Sequence, residues 1–109
     1  MTVGADALII EVHGALDFHY ASLLNREVDA ALLGPPPATM IIDLSAAGHC
    51  DSSGLAALVH ALRRCRAAST HLVLTGLQAD LERWLAITGL ARVFDRRPHM
   101  ADALPPQAG

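Results

Sequence analysis

Apolar and polar positions along this chain keep two alternating rhythms. Residues 7–13, Ala-Leu-Ile-Ile-Glu-Val-His, form a short, β-rich run closed by Gly14, the pattern of a strand entering a turn. From Asp17 the spacing becomes helical. Leu23, Leu24, Val28, Ala31 and Leu32 mark one stripe, Asp17 sits where an N-cap belongs, and Gly34 with Pro35, Pro36 and Pro37 supplies the stop. Met40 to Leu44 is a nearly continuous apolar run of strand length, as a strand buried on both faces requires.

Helical spacing returns at Leu55, Leu58, Val59 and Leu62, while His60, Arg63, Arg64 and Arg66 take other positions and load the last turn with positive charge. His71 to Thr75 reads as the next strand, closed by Gly76. Asp80 then opens a third helix with an inner stripe of Leu81, Trp84, Leu85 and Thr88 and Gly89 as its C-cap. Val93 and Phe94 suggest a short last strand. Pro98 suits the first turn of a terminal helix reaching Leu104, and residues 105–109 are expected to be a disordered tail. Strands alternating with helices predict an α/β fold with a mainly parallel sheet and right-handed crossovers.

Composition narrows what such a fold can do. The chain has 109 residues, 52% hydrophobic and 17% charged, the size of one domain with one core. Its net charge is -3, and its basic residues are all arginines dispersed among the acids, so no surface is basic enough to hold a phosphate backbone. Aromatic residues are only 4%, too few for a stacking platform on single-stranded nucleic acid. No apolar run approaches the roughly 20 residues that span a bilayer, and no signal segment opens the chain, so a cytoplasmic protein without membrane insertion is expected.

A helix beginning near Ser53 would hold Cys50 and Cys65 roughly 18 Å apart, too far for a disulfide. The six histidines show no metal-ligand spacing with cysteine or with each other, so neither a metal nor a cofactor is expected. Asp43 reads as a strand-end residue bonding nearby backbone, since no second carboxylate stands at a fixed spacing for acid–base work.

The densest polar chemistry lies in His49-Cys50-Asp51-Ser52-Ser53-Gly54, at the carboxyl end of a predicted strand, where sites in α/β sheets gather. Asp51, Ser52 and Ser53 each suit a helix start, but one cap suffices. Geometry leaves open which of the three takes that place. Gly54 costs roughly 1 kcal/mol against Ala in a first turn, so bulk is unwanted there. Three readings remain open. The stretch is a plain cap with a polar loop; or a nucleophile, disfavoured because His49 and Asp51 are too close in sequence to form a triad and no G-x-S-x-G elbow is present; or a phosphorylation switch, since a helix N-terminus tolerates a phosphoserine.

Met40 to Cys65, preceded by His-Gly-Ala-Leu-Asp (13–17) and followed by Leu72 to Phe94, resembles the STAS domain of bacterial anti-sigma factor antagonists. The resemblance runs over roughly residues 7–104 in three motifs in register. It implies a single STAS domain over residues 1–104, with a mixed, mainly parallel sheet of four to five strands flanked by about four helices and no catalytic activity. It further implies a serine kinase anti-sigma factor and a PP2C-type phosphatase as partners, Ser52 as phosphoacceptor, and Asp17, Asp51, Ser53 and Gly54 at the partner surface. The resemblance thereby leads to the expectation that Ser53 holds the helix, with Ser52 facing solvent and Asp51 shaping the field. A permanent structural subunit of a stressosome-like or lipid-transport assembly is the alternative role. Ala15 stands where the family usually has an acid, and His49-Cys50 where apolar residues are usual. The first strand is expected to shrink to a few residues around Thr2–Gly4, and Cys50 to be a buried small hydrophobe.

Overall fold

The computed structural model describes residues 2–4, 6–99 and 103. Seven strands and three α-helices follow one another as β1 (Thr2–Gly4), β2 (Ala7–Glu11), β3 (Gly14–Leu16), α1 (Phe18–Ala31), β4 (Thr39–Asp43), β5 (Ala47–Cys50), α2 (Ser52–Ala67), β6 (His71–Thr75), α3 (Ala79–Thr88) and β7 (Asp95–Arg97), with a 3-10 turn at Leu90–Arg92. The main sheet has the order β1-β2-β4-β6-β7. Among the described strands only the β1–β2 pair is antiparallel; β2–β4, β4–β6 and β6–β7 are parallel, so the mixed, mainly parallel α/β sheet is as expected. Three α-helices and one 3-10 turn lie among the described residues, against about four helices anticipated. Pro98 and His99 form a bend after β7 and not the first turn of a terminal helix, which corrects that expectation; of residues 100–109 only Ala103 is described, as helix, so the rest of the expected helix and the tail lie outside the described residues.

Strand alternation sends one side chain set to each face of the sheet. Leu8, Ile10, Met40, Ile42, Leu72 and Leu74 join Leu24 and Val28 of α1, Leu58 of α2 and Leu81 and Leu85 of α3 in the main core. Ala7, Ile41 and Val73 occupy the opposite face, where Ile9 and Ala103 pack on them. The central strand β4 is therefore apolar on both faces, which is why its sequence shows no alternation.

Three helical stripes differ from the expected ones. Helix α2 buries Gly54, Ala57, Leu58, Ala61 and Cys65, whereas Leu55, Val59 and Leu62 stand half-buried on its flank. Close approach to α1 and the sheet selects the small residues for the inside. In α3 only Leu81 and Leu85 are buried; Trp84 is 44% exposed, and Thr88 faces out, its hydroxyl donating to the Trp84 carbonyl. In α1, Leu23 is exposed and Ala21 takes its place inside. The expected strand at Val93-Phe94 begins later, at Asp95, because the 3-10 turn after Gly89 occupies the intervening residues. Gly89 itself adopts φ 79°, the left-handed C-cap its position predicts.

Candidate functional site

Strands β3 and β5 form a small parallel sheet of their own, separate from the main one. The segment after the predicted strand Met40 to Leu44, for which no further strand was expected before the helix, thus contains one at Ala47–Cys50. Its segment Ala-Gly-His-Cys has little apolar patterning, so only its pairing with β3 reveals it. Leu16 and Cys50 are register partners, and each is followed by an aspartate that caps a helix. The N-termini of α1 and α2 therefore open side by side, bringing together the widely separated Asp17 and Asp51.

Asp17 caps α1 as expected, its Oδ1 accepting the Tyr20 amide at 3.0 Å. The cap of α2 is Asp51, which corrects the assignment to Ser53: Asp51 Oδ1 accepts the amides of Ser53 at 2.9 Å and Gly54 at 3.1 Å. One carboxylate oxygen satisfies two of the open N–H groups, a larger share than a serine hydroxyl one residue later could take. Ser52 becomes the first residue of the helix and is exposed, while Ser53 is partly buried behind it.

Gly54 is buried. A Cβ there would stand 2.3 Å from the Leu16 carbonyl oxygen and 2.8 Å from Cys50 Sγ. Bulk is unwanted, as the sequence indicated, and the reason lies beneath the helix, against Leu16 and Cys50. The Leu16 carbonyl also receives the Asp51 amide at 3.4 Å, so it cannot move away without loosening the small sheet. Cys50 is buried as expected, and removal from water, then the neighbouring Asp51 charge, push its thiol up to about 11. Burial alone does the same to Cys65, whose thiol points at Met40 Sδ, 3.7 Å away. Both cysteines are free and in the unreactive thiol form. His49 alternates with Cys50 on β5 and faces solvent.

Asp43 does what its strand-end position suggested, accepting the Ser45 amide at 3.1 Å and the Thr75 hydroxyl at 3.2 Å. The arginine cluster divides. Arg64 shares Asp29 Oδ1 of α1 with His60, at 3.1 and 2.8 Å, tying the two helices together. At the far edge of the sheet, the Arg97 guanidinium and then His71 hold the Asp95 carboxylate below its ordinary range, although partial burial opposes them.

Two surface features were not legible in the sequence. A crease between α1 and α2 is lined by Phe18, Ala21, Asn25, Ser53 and Ala56, with Phe18 78% exposed at its mouth. A second groove runs along the outer side of α2 from Ser52 to Arg63, with Leu90 of the 3-10 turn as its far wall. Among the described residues no group of three His, Cys, Asp or Glu is placed to hold a metal ion. No described helix is long and apolar enough to cross a membrane.

The family model of the STAS domain matches residues 1–103. Solved structures similar to this chain include an anti-sigma factor antagonist from Mycobacterium paratuberculosis, 24% identical with a TM-score of 0.82, over 94% of this chain and 86% of that one. A sulfate transporter family protein from Wolinella succinogenes is 23% identical with a TM-score of 0.82, over 95% and 86% of the two chains. The Bacillus cell fate determinant SpoIIAA in its phosphorylated form is 18% identical with a TM-score of 0.74, over 94% and 92%. At these identities the likeness speaks for the fold.

Proposed function

The chain belongs to the STAS domain family, and on that premise we propose that it is an anti-sigma factor antagonist switched at Ser52. In its unphosphorylated form it binds a serine kinase anti-sigma factor and so releases the sigma factor. The kinase ends the binding by moving the γ-phosphoryl of ATP onto Ser52 Oγ, with ADP leaving and the hydroxyl proton passing to a base of the kinase. A PP2C-type phosphatase hydrolyses the phosphoserine and resets the switch. The chain itself contributes no catalytic group.

The observation that carries this reading is the division of labour at the start of α2. Asp51 alone caps the helix, so Ser52 is exposed and its hydroxyl has no structural hydrogen bond among the described residues. Phosphate there would sit at the positive end of the α2 dipole, which favours a dianion even though Asp51 already takes the Ser53 and Gly54 amides. The fold survives the modification and the change is felt at the surface. Asp17 and Asp51 on neighbouring caps, with Ser53 beside them, form the rim that a partner meets. Gly54 contributes from below by fixing how far Ser52 protrudes.

The test is to incubate the chain with purified serine kinase anti-sigma factors and ATP and to map the product by mass spectrometry. Phosphate on Ser52 alone, abolished in Ser52→Ala, is expected. Ser52→Asp should fold normally and lose kinase binding. Phosphate only at other residues would overturn the reading, and stable assembly with transporter or stressosome-like subunits indifferent to Ser52→Ala would support the permanent-subunit role in its place.

A further inference from the structure

Helix α2 keeps its small residues inside and its larger ones at the edge. Gly54, Ala57, Ala61 and Cys65 are buried with Leu58, while Leu55 and Val59 remain only half-buried. With Ser52, Ala56 and Arg63 they form an outward stripe spaced three, four, seven and eleven residues along the helix, facing Leu90 across an open groove of about 410 Å³. A surface helix normally turns one apolar stripe to the core and a polar one to water. Here a second, shallower apolar stripe begins at Ser52 and ends at an arginine.

The charge along the groove has a direction. Asp51 stands at the Ser52 end, and Arg63 and Arg66 are exposed toward the other. Asp29 engages Arg64, whereas among the described residues neither Arg63 nor Arg66 meets a carboxylate. Eleven residues at 1.5 Å each put Ser52 roughly 16 Å from Arg63 along the helix. That is beyond the reach of a side-chain contact, so these arginines do not neutralise a phosphate on Ser52.

From this arrangement we propose that the groove between α2 and the 3-10 turn receives one amphipathic helix of the partner protein. The occupant lays an apolar ridge of about three turns on Leu55, Val59 and Leu90 and sets a carboxylate against Arg63. This rests on the proposed role as a kinase antagonist and specifies the surface by which the kinase is held. Arg63 fixes the direction of the docked helix, and Ser52 lies at the mouth, where its phosphorylation adds negative charge beside Asp51 and against the incoming segment.

The experiment titrates the kinase that binds the wild-type chain against four full-length variants. Val59→Glu should weaken binding at least about thirtyfold and Arg63→Glu about tenfold, with Arg63→Lys within about threefold of wild type. Trp84→Ala, on another face, should bind as wild type. Val59 is half-buried against the core, so circular dichroism and melting temperatures close to wild type are required of each variant, and Arg63→Glu, at an exposed position, carries the test if Val59→Glu does not fold. Equal binding by wild type, Val59→Glu and Arg63→Glu overturns the groove while leaving the antagonist role standing. Self-association of the chain that Val59→Glu abolishes also overturns it, by assigning the groove to a second copy.

If no kinase binds the wild-type chain, the functional reading is what fails. The groove is then probed with a 14-residue helical peptide bearing a leucine ridge and terminal glutamates. Methyl shifts at Leu55, Val59 and Leu90 that vanish when the glutamates are replaced by lysine support the proposal. No shift at millimolar peptide overturns it.

Discussion

The units β3–Asp17–α1 and β5–Asp51–α2 are built on one plan and differ in the residues that come after the cap. Each has a short strand, paired in parallel with the other, then an aspartate in extended conformation whose carboxylate accepts an amide of the first helical turn. After Asp17 come Phe18, His19 and Tyr20; after Asp51 come Ser52, Ser53 and Gly54. The first unit spends its opening turn on large side chains, with Phe18 78% exposed. The second uses small ones, which lets α2 sink onto the Leu16 carbonyl and leaves a serine hydroxyl at the surface. The shared cap shows that starting a helix does not require the Ser-Ser-Gly sequence. That sequence permits close packing below, and it leaves Ser52 exposed above.

The largest effect should come from erasing that difference at Gly54. In Gly54→Ala a Cβ 2.3 Å from the Leu16 oxygen must displace α2 or break the small sheet. A loss of about 3 kcal/mol or outright misfolding is expected in denaturant titration. An unchanged midpoint would show that the two units do not depend on close approach.

The caps themselves rank next. Asp51 accepts two amides and Asp17 one, so Asp51→Ala should cost about 1.5–2 kcal/mol and Asp17→Ala about 1 kcal/mol. Equal losses in chemical denaturation would contradict the unequal load.

Ser52→Ala should shift stability by no more than about 0.5 kcal/mol, because the hydroxyl supports nothing in the fold. A larger loss in thermal unfolding would return Ser52 to a capping role.

The last contrast is silent at neutral pH. The raised Cys50 thiol stays protonated in the folded chain up to about 11, whereas an unfolded cysteine ionises near 9. Its contribution is complete below the unfolded value and is lost as pH rises through that window. Stability of the wild type should therefore fall between pH 9 and 11, and Cys50→Ala should flatten part of that fall. Leu16, its register partner on β3, carries no such group. A wild-type profile level to about pH 11 would contradict the burial of the thiol.

Much of this was readable in advance. Strands β2, β4 and β6 and the three α-helices announce themselves by period and by punctuation, because burial on a sheet or a helix face leaves a repeating signal. Asp17 as a cap and Gly89 as a left-handed stop were legible because their conformations are set by neighbours in the chain. Strand β5 was not, since Ala-Gly-His-Cys is held by β3 and not by its own propensity. The choice among Asp51, Ser52 and Ser53 as cap was also beyond local inspection. All three can accept an amide, and the register of β3 with β5 decides which one stands at the extended position before the first turn. The inner stripe of α2 was misread for a related reason: period identifies a face, but the distance to the next helix decides whether leucine or alanine fits there.

The sequence by itself determined the α/β alternation, the central doubly buried strand, the family resemblance and the concentration of capping chemistry before α2, because each is written in residues adjacent or periodic along the chain. Tertiary structure alone decided that Asp17 and Asp51 stand on neighbouring helix starts, that Gly54 faces a carbonyl 38 residues earlier in the chain, and that an apolar groove leads from Ser52 to Arg63. Those relations depend on how separate segments pair and how closely they pack, and no local pattern encodes the distance between two elements that meet only in the fold.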